Sequence, residues 1–297
     1  MSEPMRLSVF KTYKLYVGGK FPRSESGRVY EVTDSKKGAW LANAPLSSRK
    51  DARDAVVAAR KAFGGWSGAT AYNRGQVLYR VAEMLEGRRE QFAREVADAE
   101  GLSKSKAAGV VDAAIDRWVW YAGWTDKIAQ VVGGANPVAG PYFNLSTPEP
   151  TGVVTVLAPQ ESSLLGLVSV VAPVIATGNT AVVIASERAP LPALSLGEVL
   201  ATSDVPGGVV NVLSGRTAEI AAPLAAHQDV NGIDLTGADE VLAKELEAAA
   251  AENLKRVLRP QAVDFSADPG TRRLTAFLET KTVWHPTGSL GASGSAY

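Results

Sequence analysis

The turn Pro159-Gln160-Glu161-Ser162-Ser163 carries the residues most open to a chemical reading. It follows a β-branched run, Val153–Leu157, and opens an apolar stretch that extends to Ile175. Such a turn lies at the carboxyl end of a strand, where α/β sheets present their reactive groups. Two constellations involve it. Ser162 and Ser163 with His227 and Asp229 have the residue types of a serine hydrolase, but no Gly-x-Ser-x-Gly elbow surrounds either serine. His227 also falls at a helix end, LAAHQDV, where an exposed histidine near the negative pole of the helix is ordinary. Glu161 and Asp264 are two carboxylates that acid–base work would use, yet no feature of the sequence places them together. The charged run Gly87–Glu100 reads as the solvated face of a helix.

Composition removes whole classes of chemistry. The chain has no cysteine, so disulfides, thiolate-bound zinc, iron–sulfur clusters and thiol catalysis are excluded. Two histidines, His227 and His285, leave no His-rich metal site, and no metal is expected. Basic and acidic residues balance at 31 each, which argues against nucleic acid or an anionic membrane as partner. No stretch reaches the roughly 18 apolar residues of a membrane span; Leu164–Ile175 comes nearest and suits a buried helix better. The opening MSEPMRLSVFKTYKL has no apolar signal core, so the cytoplasm is the expected compartment.

The elements that would position these residues fall into two styles. In the first part, Tyr13, Leu15 and Val17 alternate before Gly18-Gly19, and Arg28–Val32 is a second short run, which predicts a β-hairpin. A helix capped near Ser48 follows, with Ala52, Ala55, Val56, Ala59, Ala62 and Phe63 as its apolar stripe and Gly64-Gly65 as its end. Further helices are expected over Ala71–Glu86, Arg88–Glu100 and Ser105–Ile128. The last carries Trp118, Trp120, Tyr121 and Trp124, an aromatic cluster read as packing surface. After a Gly/Pro-punctuated stretch at Val131–Pro150, strands and helices alternate. Strands are expected at Val153–Leu157, Ala181–Ile184, Val209–Val212, Ile233–Leu235 and Arg256–Leu258, with helices at Ser163–Ile175, Pro190–Ala201, Thr217–His227 and Ala238–Asn253. That alternation predicts an α/β fold with a Rossmann-like parallel sheet covered on both faces. Asp264–Thr271 reads as loop and Arg272–Pro286 as a helix followed by a strand.

Several of these runs resemble the N-terminal, cofactor-binding half of the NAD(P)-dependent aldehyde dehydrogenase superfamily. They are AVVAARKAFGGWS, NRGQVLYRVAEMLEGRREQF, EPTGVVTVLAP, VAPVIATGNTAVVIASE, PGGVVNVLSG and DVNGIDLTG, in family order. The tail FLETKTVWHP resembles the last strand of these enzymes, part of their oligomerisation arm. The resemblance implies a Rossmann-type domain over 1–130 and 151–262, a small β arm over 131–150 plus 272–286, and a flexible tail over 287–297. In the family a catalytic lobe lies between the general-base motif and the last strand; here only a short loop fills that interval, so the lobe is expected to be absent. The same organisation is found in the incomplete second module of fused, two-module aldehyde dehydrogenases.

Departures from the family pattern bear on chemistry. The family's nucleophile is a cysteine thiolate, and there is none here. Its Pro-Trp-Asn turn donates an amide to the oxyanion, whereas the aligned turn ends in Glu161, whose charge would oppose an oxyanion. Its general-base Glu aligns with Pro260. Glu161 and Pro260 are therefore degenerate positions, and no catalytic residue is assigned. For the cofactor, the aligned positions are Glu187, which retains the family's ribose-binding carboxylate, Gly215, and Thr236-Gly237 of the turn before the phosphate-facing helix. These are read as vestigial: no cofactor is expected, with weak NAD(P) binding as the alternative.

The arm is the remaining functional candidate. Tyr142, Phe143, Leu145, Leu278, Thr280, Thr282, Val283 and Trp284 are expected to bind a partner, because an open sheet edge with apolar side chains recruits other chains. The resemblance implies that the partner is a full-length aldehyde dehydrogenase, held in a hetero-oligomer. A homodimer through the arms, and a stand-alone nucleotide-binding or sensing protein, are the alternatives.

Overall fold

Consecutive residues Leu15 and Tyr16 are both buried, and this decides how the chain begins. In the computed structural model, which describes residues 9–288, the two side chains enter the apolar layers on opposite faces of the main sheet. The expected hairpin between Tyr13–Val17 and Arg28–Val32 does not form. Val17 and Lys20 instead exchange backbone hydrogen bonds of 2.9 and 3.0 Å across Gly18-Gly19, both left-handed, and Tyr16 donates to the Val212 carbonyl at 3.1 Å. Strand β1 (Val29–Thr33) pairs antiparallel with β2 (Trp40–Pro45), from Val29↔Pro45 to Thr33↔Trp40. The run WLANAP has no β-branched residue, which is why pattern reading passed over it.

Helix α1 (Arg49–Gly68) opens with a capping box: Ser48 Oγ accepts from Asp51 N, and the Asp51 carboxylate accepts from Ser48 N at 2.7 Å. It runs past its expected end at Gly64-Gly65. Trp66 is buried and donates its indole N–H to the Ile175 carbonyl at 2.9 Å, so tertiary packing holds a turn that glycine propensity would release. Helices α2 (Ala71–Glu86), α3 (Arg89–Glu100) and α4 (Lys104–Trp124) follow. The last stops short of its expected end at Ile128, which begins the separate short helix α5 (Ile128–Val132). Trp118 and Tyr121 of α4 are fully buried, with Trp120 edge-on to Tyr121, so the aromatic cluster is packing surface.

Strands β3 (Gly134–Asn136) and β4 (Tyr142–Pro150) precede the alternating region. There β5 (Val153–Leu157), α6 (Leu165–Ala176), β6 (Thr180–Ile184), α7 (Leu191–Ala201), β7 (Val210–Leu213), α8 (Thr217–Ala225), β8 (Gly232–Asp234), α9 (Glu240–Ala251) and β9 (Arg256–Leu258) follow one another. The five strands form a parallel sheet in the order β7-β6-β5-β8-β9, which places the reversal of strand order between β5 and β8. Val154, Val156 and Val183 face a layer built from α4, α6 and α7, whereas Val153, Leu157, Val182 and Ile184 face α1, α8 and α9. Burial on both faces explains why these strands read as unbroken apolar runs.

The chain closes with the single-turn helix α10 (Arg272–Thr275) and strand β10 (Leu278–Pro286). β10 pairs antiparallel with β4 along its whole length, from Leu278↔Pro150 to Pro286↔Tyr142, in a sheet of order β10-β4-β3. Most of the tail expected to fray, 289–297, lies outside the described residues. No helix among the described residues is long and apolar enough to cross a membrane.

Trp66→Ala is expected to lower stability by about 3–5 kcal/mol in urea unfolding, through cavity formation beside α6. Trp66→Phe, which keeps most of the volume but not the N–H donor, is expected to cost about 1 kcal/mol. Equal losses for the two variants would show that the hydrogen bond, not the packing, holds the final turn.

Candidate functional site at the carboxyl edge of the sheet

The carboxyl ends of β5 to β8 open on one edge of the sheet, and the turns leaving them hold all four residues assigned to a cofactor. Glu187 follows β6. One of its carboxylate oxygens accepts from Thr217 N at 3.0 Å, the first residue of α8, and the other from Arg216 Nη1 at 2.5 Å. The hydrogen bond to Glu187 raises the Arg216 pKa above its ordinary value. Helix α8 has no side-chain cap from its own N-cap residue, Arg216, so Glu187 serves that purpose from the neighbouring turn. Gly215 adopts φ +142°, and a Cβ there would come 3.1 Å from Ser47 N and from the Ile220 side chain. Its lack of a side chain lets the start of α1 approach β7.

Thr236 and Gly237 leave β8. The Thr236 amide donates to Asp234 Oδ1 at 3.0 Å. A Cβ on Gly237 would stand 2.0 Å from the Ala158 carbonyl oxygen, so no other residue fits without moving backbone. Beyond it, Asp239 caps α9 by accepting from Leu242 N at 2.8 Å, and Glu240 stands in the first turn. The positive pole of α9 is thus already met by two carboxylates, which oppose a phosphate at this end.

Between these turns lies the Pro159–Ser163 segment. The Gln160 side chain donates to the Ala158 carbonyl at 3.2 Å and accepts from Glu187 N at 2.9 Å, while Ser186 Oγ donates to the Gln160 carbonyl at 2.9 Å. Gln160 therefore ties the end of β5 to the end of β6. Glu161 points to solvent and is ion-paired with Arg188; both side chains are largely exposed. Ser162 Oγ accepts from Gly166 N at 2.8 Å, and Ser163 donates both N–H and hydroxyl to Glu100 at 2.7 Å each. The Ser162 hydroxyl caps the first turn of α6, and the Ser163 hydroxyl ties this turn to α3.

The imagined serine triad is not assembled. His227 lies past the end of α8, at the amino edge of the sheet, and its Nδ1 accepts from Asp229 N at 3.1 Å. Ser162 and Ser163 stand at the carboxyl edge. The carboxylate pair fares no better: Glu161 is taken by Arg188, and Asp264 by the Ser266 N–H and hydroxyl, which hold its pKa below the ordinary range. Pro260 follows β9 beside Arg259, whose guanidinium pairs with Glu247 at 2.9 Å.

The residues that organise this edge were missed in the sequence. Asp234, 1% exposed at the end of β8, pairs with Arg273 of α10 at 2.7 Å, and Arg273 also donates to Thr236 Oγ1 at 2.9 Å. Buried Arg117 of α4 donates to Ser169 Oγ at 3.0 Å and to the Phe265 and Ala267 carbonyls at 2.7 and 3.0 Å. Leu274 and Phe277 then enter the α4–α6 layer, the Phe277 ring lying over Gly232 at the start of β8. An aspartate between Ile233 and Leu235 in a buried strand is a signal that a cation must come from elsewhere.

The arm residues divide between two faces of the β10–β4 ribbon. Strand alternation puts Tyr142, Leu278, Thr280, Thr282 and Trp284 on one face, where Tyr142 and Trp284 meet edge-on with ring centroids 5.7 Å apart. Phe143, Leu145 and Val283 stand on the other. At the tip, Tyr142, Phe143 and Trp284 are 42%, 45% and 55% exposed. The eight residues do not form a single patch.

Comparison with known proteins bears on this arrangement. The model of the aldehyde dehydrogenase family matches residues 21–259. Retinal dehydrogenase 2 of Gallus gallus is 35% identical over 255 residues, 83% of this chain and 48% of the relative. Cytosolic 10-formyltetrahydrofolate dehydrogenase of Mus musculus is 32% identical over 259 residues, 85% of this chain and 28% of the relative. An NAD+ complex structure of an aldehyde dehydrogenase from Bacillus cereus superposes with a TM-score of 0.78 at 28% identity, over 83% of this chain and 50% of that one. The chain spans about half or less of the length of these proteins. The matched region ends at residue 259, before the segment that carries Arg273.

Arg273→Ala leaves the Asp234 carboxylate buried without its cation and is expected to cost about 3–5 kcal/mol in urea unfolding. Arg273→Met combined with Asp234→Asn, which removes both charges, is expected to recover most of that loss. A cost for Arg273→Ala below about 1 kcal/mol, the scale of an exposed pair, would contradict the anchoring role.

Proposed function

This chain belongs to the aldehyde dehydrogenase family, and we propose that it is a cytoplasmic subunit with no oxidation chemistry of its own. Its partner is a full-length, cysteine-bearing aldehyde dehydrogenase, gripped through the β10–β4 ribbon. The observation that carries this reading is the ribbon's tip, where aromatic side chains on both faces stand open to solvent. A sheet tip with apolar groups on both faces suits a seat between elements of another chain.

Two further points support the absence of chemistry. No cysteine exists to form a thiohemiacetal, and the turn aligned with the family's oxyanion donor holds an exposed Glu161–Arg188 pair. The residues at the carboxyl edge also do not fit NAD in the family's manner. Glu187 already uses both oxygens on Arg216 and Thr217, and Asp239 and Glu240 face any phosphate at α9.

Co-expression with a full-length aldehyde dehydrogenase is expected to give one peak containing both chains in size-exclusion chromatography. Phe143→Glu with Trp284→Glu is expected to separate them while leaving the thermal transition of this chain unchanged. Separate elution of the unmodified chains, or a peak of this chain alone at twice its mass, would contradict the proposal. Calorimetric titration of the isolated chain with NAD is expected to give no saturable heat, and micromolar affinity would overturn the reading of its cleft.

A further inference from the structure

A cavity of about 320 Å³ lies between the N-terminal segment and the β1–β2 hairpin. Its wall combines aromatic rings with basic side chains. Phe10 and Trp40 meet edge-on with centroids 5.3 Å apart, and Trp40 is 45% exposed. Lys11, Arg23 and Arg28 line the same space, and no carboxylate does. In a chain whose basic and acidic residues balance at 31 each, that is a local excess of one sign.

The charges are not cancelled from behind. Lys11 pairs with Glu198 at 3.0 Å, but Arg23 and Arg28 make no ion pair among the described residues. Of the nearby carboxylates, Glu25 pairs with Lys50 at 3.2 Å, Asp51 accepts from Ser24, Glu25 and Ser48, and Glu31, exposed on β1, does not line the cavity. Of the other cavities, the one between α1 and α8 also has no carboxylate on its wall, but two of its basic side chains are paired, Lys50 with Glu25 and Arg53 with Asp54, and no Phe, Tyr or Trp lines it. The one beside α10 has two of its three arginines neutralised, by Glu247 and Asp234, and the groove along α3 mixes its cations with Asp34, Glu90 and Asp98.

We infer that this cavity binds an aromatic anion about the size of a nucleoside monophosphate, its ring against Trp40 and its anionic group between Arg23 and Arg28. Guanidinium groups suit a phosphate or carboxylate through charge-assisted hydrogen bonds, and an indole face accepts any flat ring. The volume stands at the lower end of small-ligand sites, enough for one ring system and one anionic group but not for a dinucleotide. The site lies outside the carboxyl edge of the sheet and does not depend on the proposed partner.

Isothermal titration of the full chain with adenosine monophosphate tests it, with phenyl phosphate, adenosine and inorganic phosphate as further arms. Adenosine monophosphate is expected to bind saturably, and adenosine and inorganic phosphate more weakly. Tighter binding of phenyl phosphate would assign the site to simple aryl anions rather than nucleotides, which keeps the inference. Arg23→Ala with Arg28→Ala is expected to weaken binding by about tenfold or more, and Trp40→Leu by about fivefold or more. Circular dichroism of each variant checks that the fold is retained. Absence of binding by both aromatic ligands, affinity unchanged in the variants, or inorganic phosphate binding as tightly as either would overturn it.

Discussion

A carboxylate at the end of a strand buried on both faces is costly to bury without a cation beside it, and Asp234 is in that position. Arg273 answers it from the segment that leads into β10. The consequence is architectural. The ion pair fixes α10 over β8; Leu274 and Phe277 beside it enter the apolar layer; and the Phe277 ring lies over Gly232 of β8. The Phe277 carbonyl then accepts from Asn179 Nδ2 at 2.9 Å and from Thr151 N at 3.2 Å, and this fixes Leu278 opposite Pro150. The register of the exposed ribbon thus follows from a buried charge at the opposite edge of the sheet.

The same edge shows how a site can keep its geometry while its polar groups turn inward. Strand-end turns of a doubly wound sheet normally leave amides and side chains free for a ligand. Here Gln160 links β5 to β6, Glu187 caps α8, Ser162 caps α6, Ser163 is bound to Glu100 of α3, and Asp239 caps α9. Each of these bonds stabilises the fold, and each removes a group from reach of a substrate or cofactor. The glycines tell the same story: Gly237 is required by the Ala158 carbonyl and Gly215 by the approach of Ser47, with no ligand needed to explain either.

Much of this was legible in the residues, for reasons that also mark the limit. Parallel strands buried on both faces write themselves as apolar runs, so β5 to β9 and their helices were found within a residue or two. The Ser48 cap and the end of α2 carried local signals. What was lost depended on distant partners. Trp66 holds α1 beyond its glycines through a carbonyl on α6; Leu15 and Tyr16 leave their expected hairpin for the edge of β7; and β2 lacks the residues that mark a strand. At the candidate site, the positions aligned with the family's cofactor site lie along one edge of the sheet, but the groups that engage this edge, Arg216, Glu100 and Arg273, come from elements with no local relation to it. The ribbon's division into two faces required a register that only the pairing with β4 supplies.

In a fold shared with the aldehyde dehydrogenase family, the polar residues at the carboxyl edge of the sheet are engaged within the fold. The most direct measurement is formation of reduced cofactor when the purified chain alone is mixed with NAD and a simple aldehyde such as propanal. A rate indistinguishable from the protein-free mixture is expected; steady turnover, or a burst of reduced cofactor stoichiometric with protein, would contradict the proposed lack of oxidation chemistry.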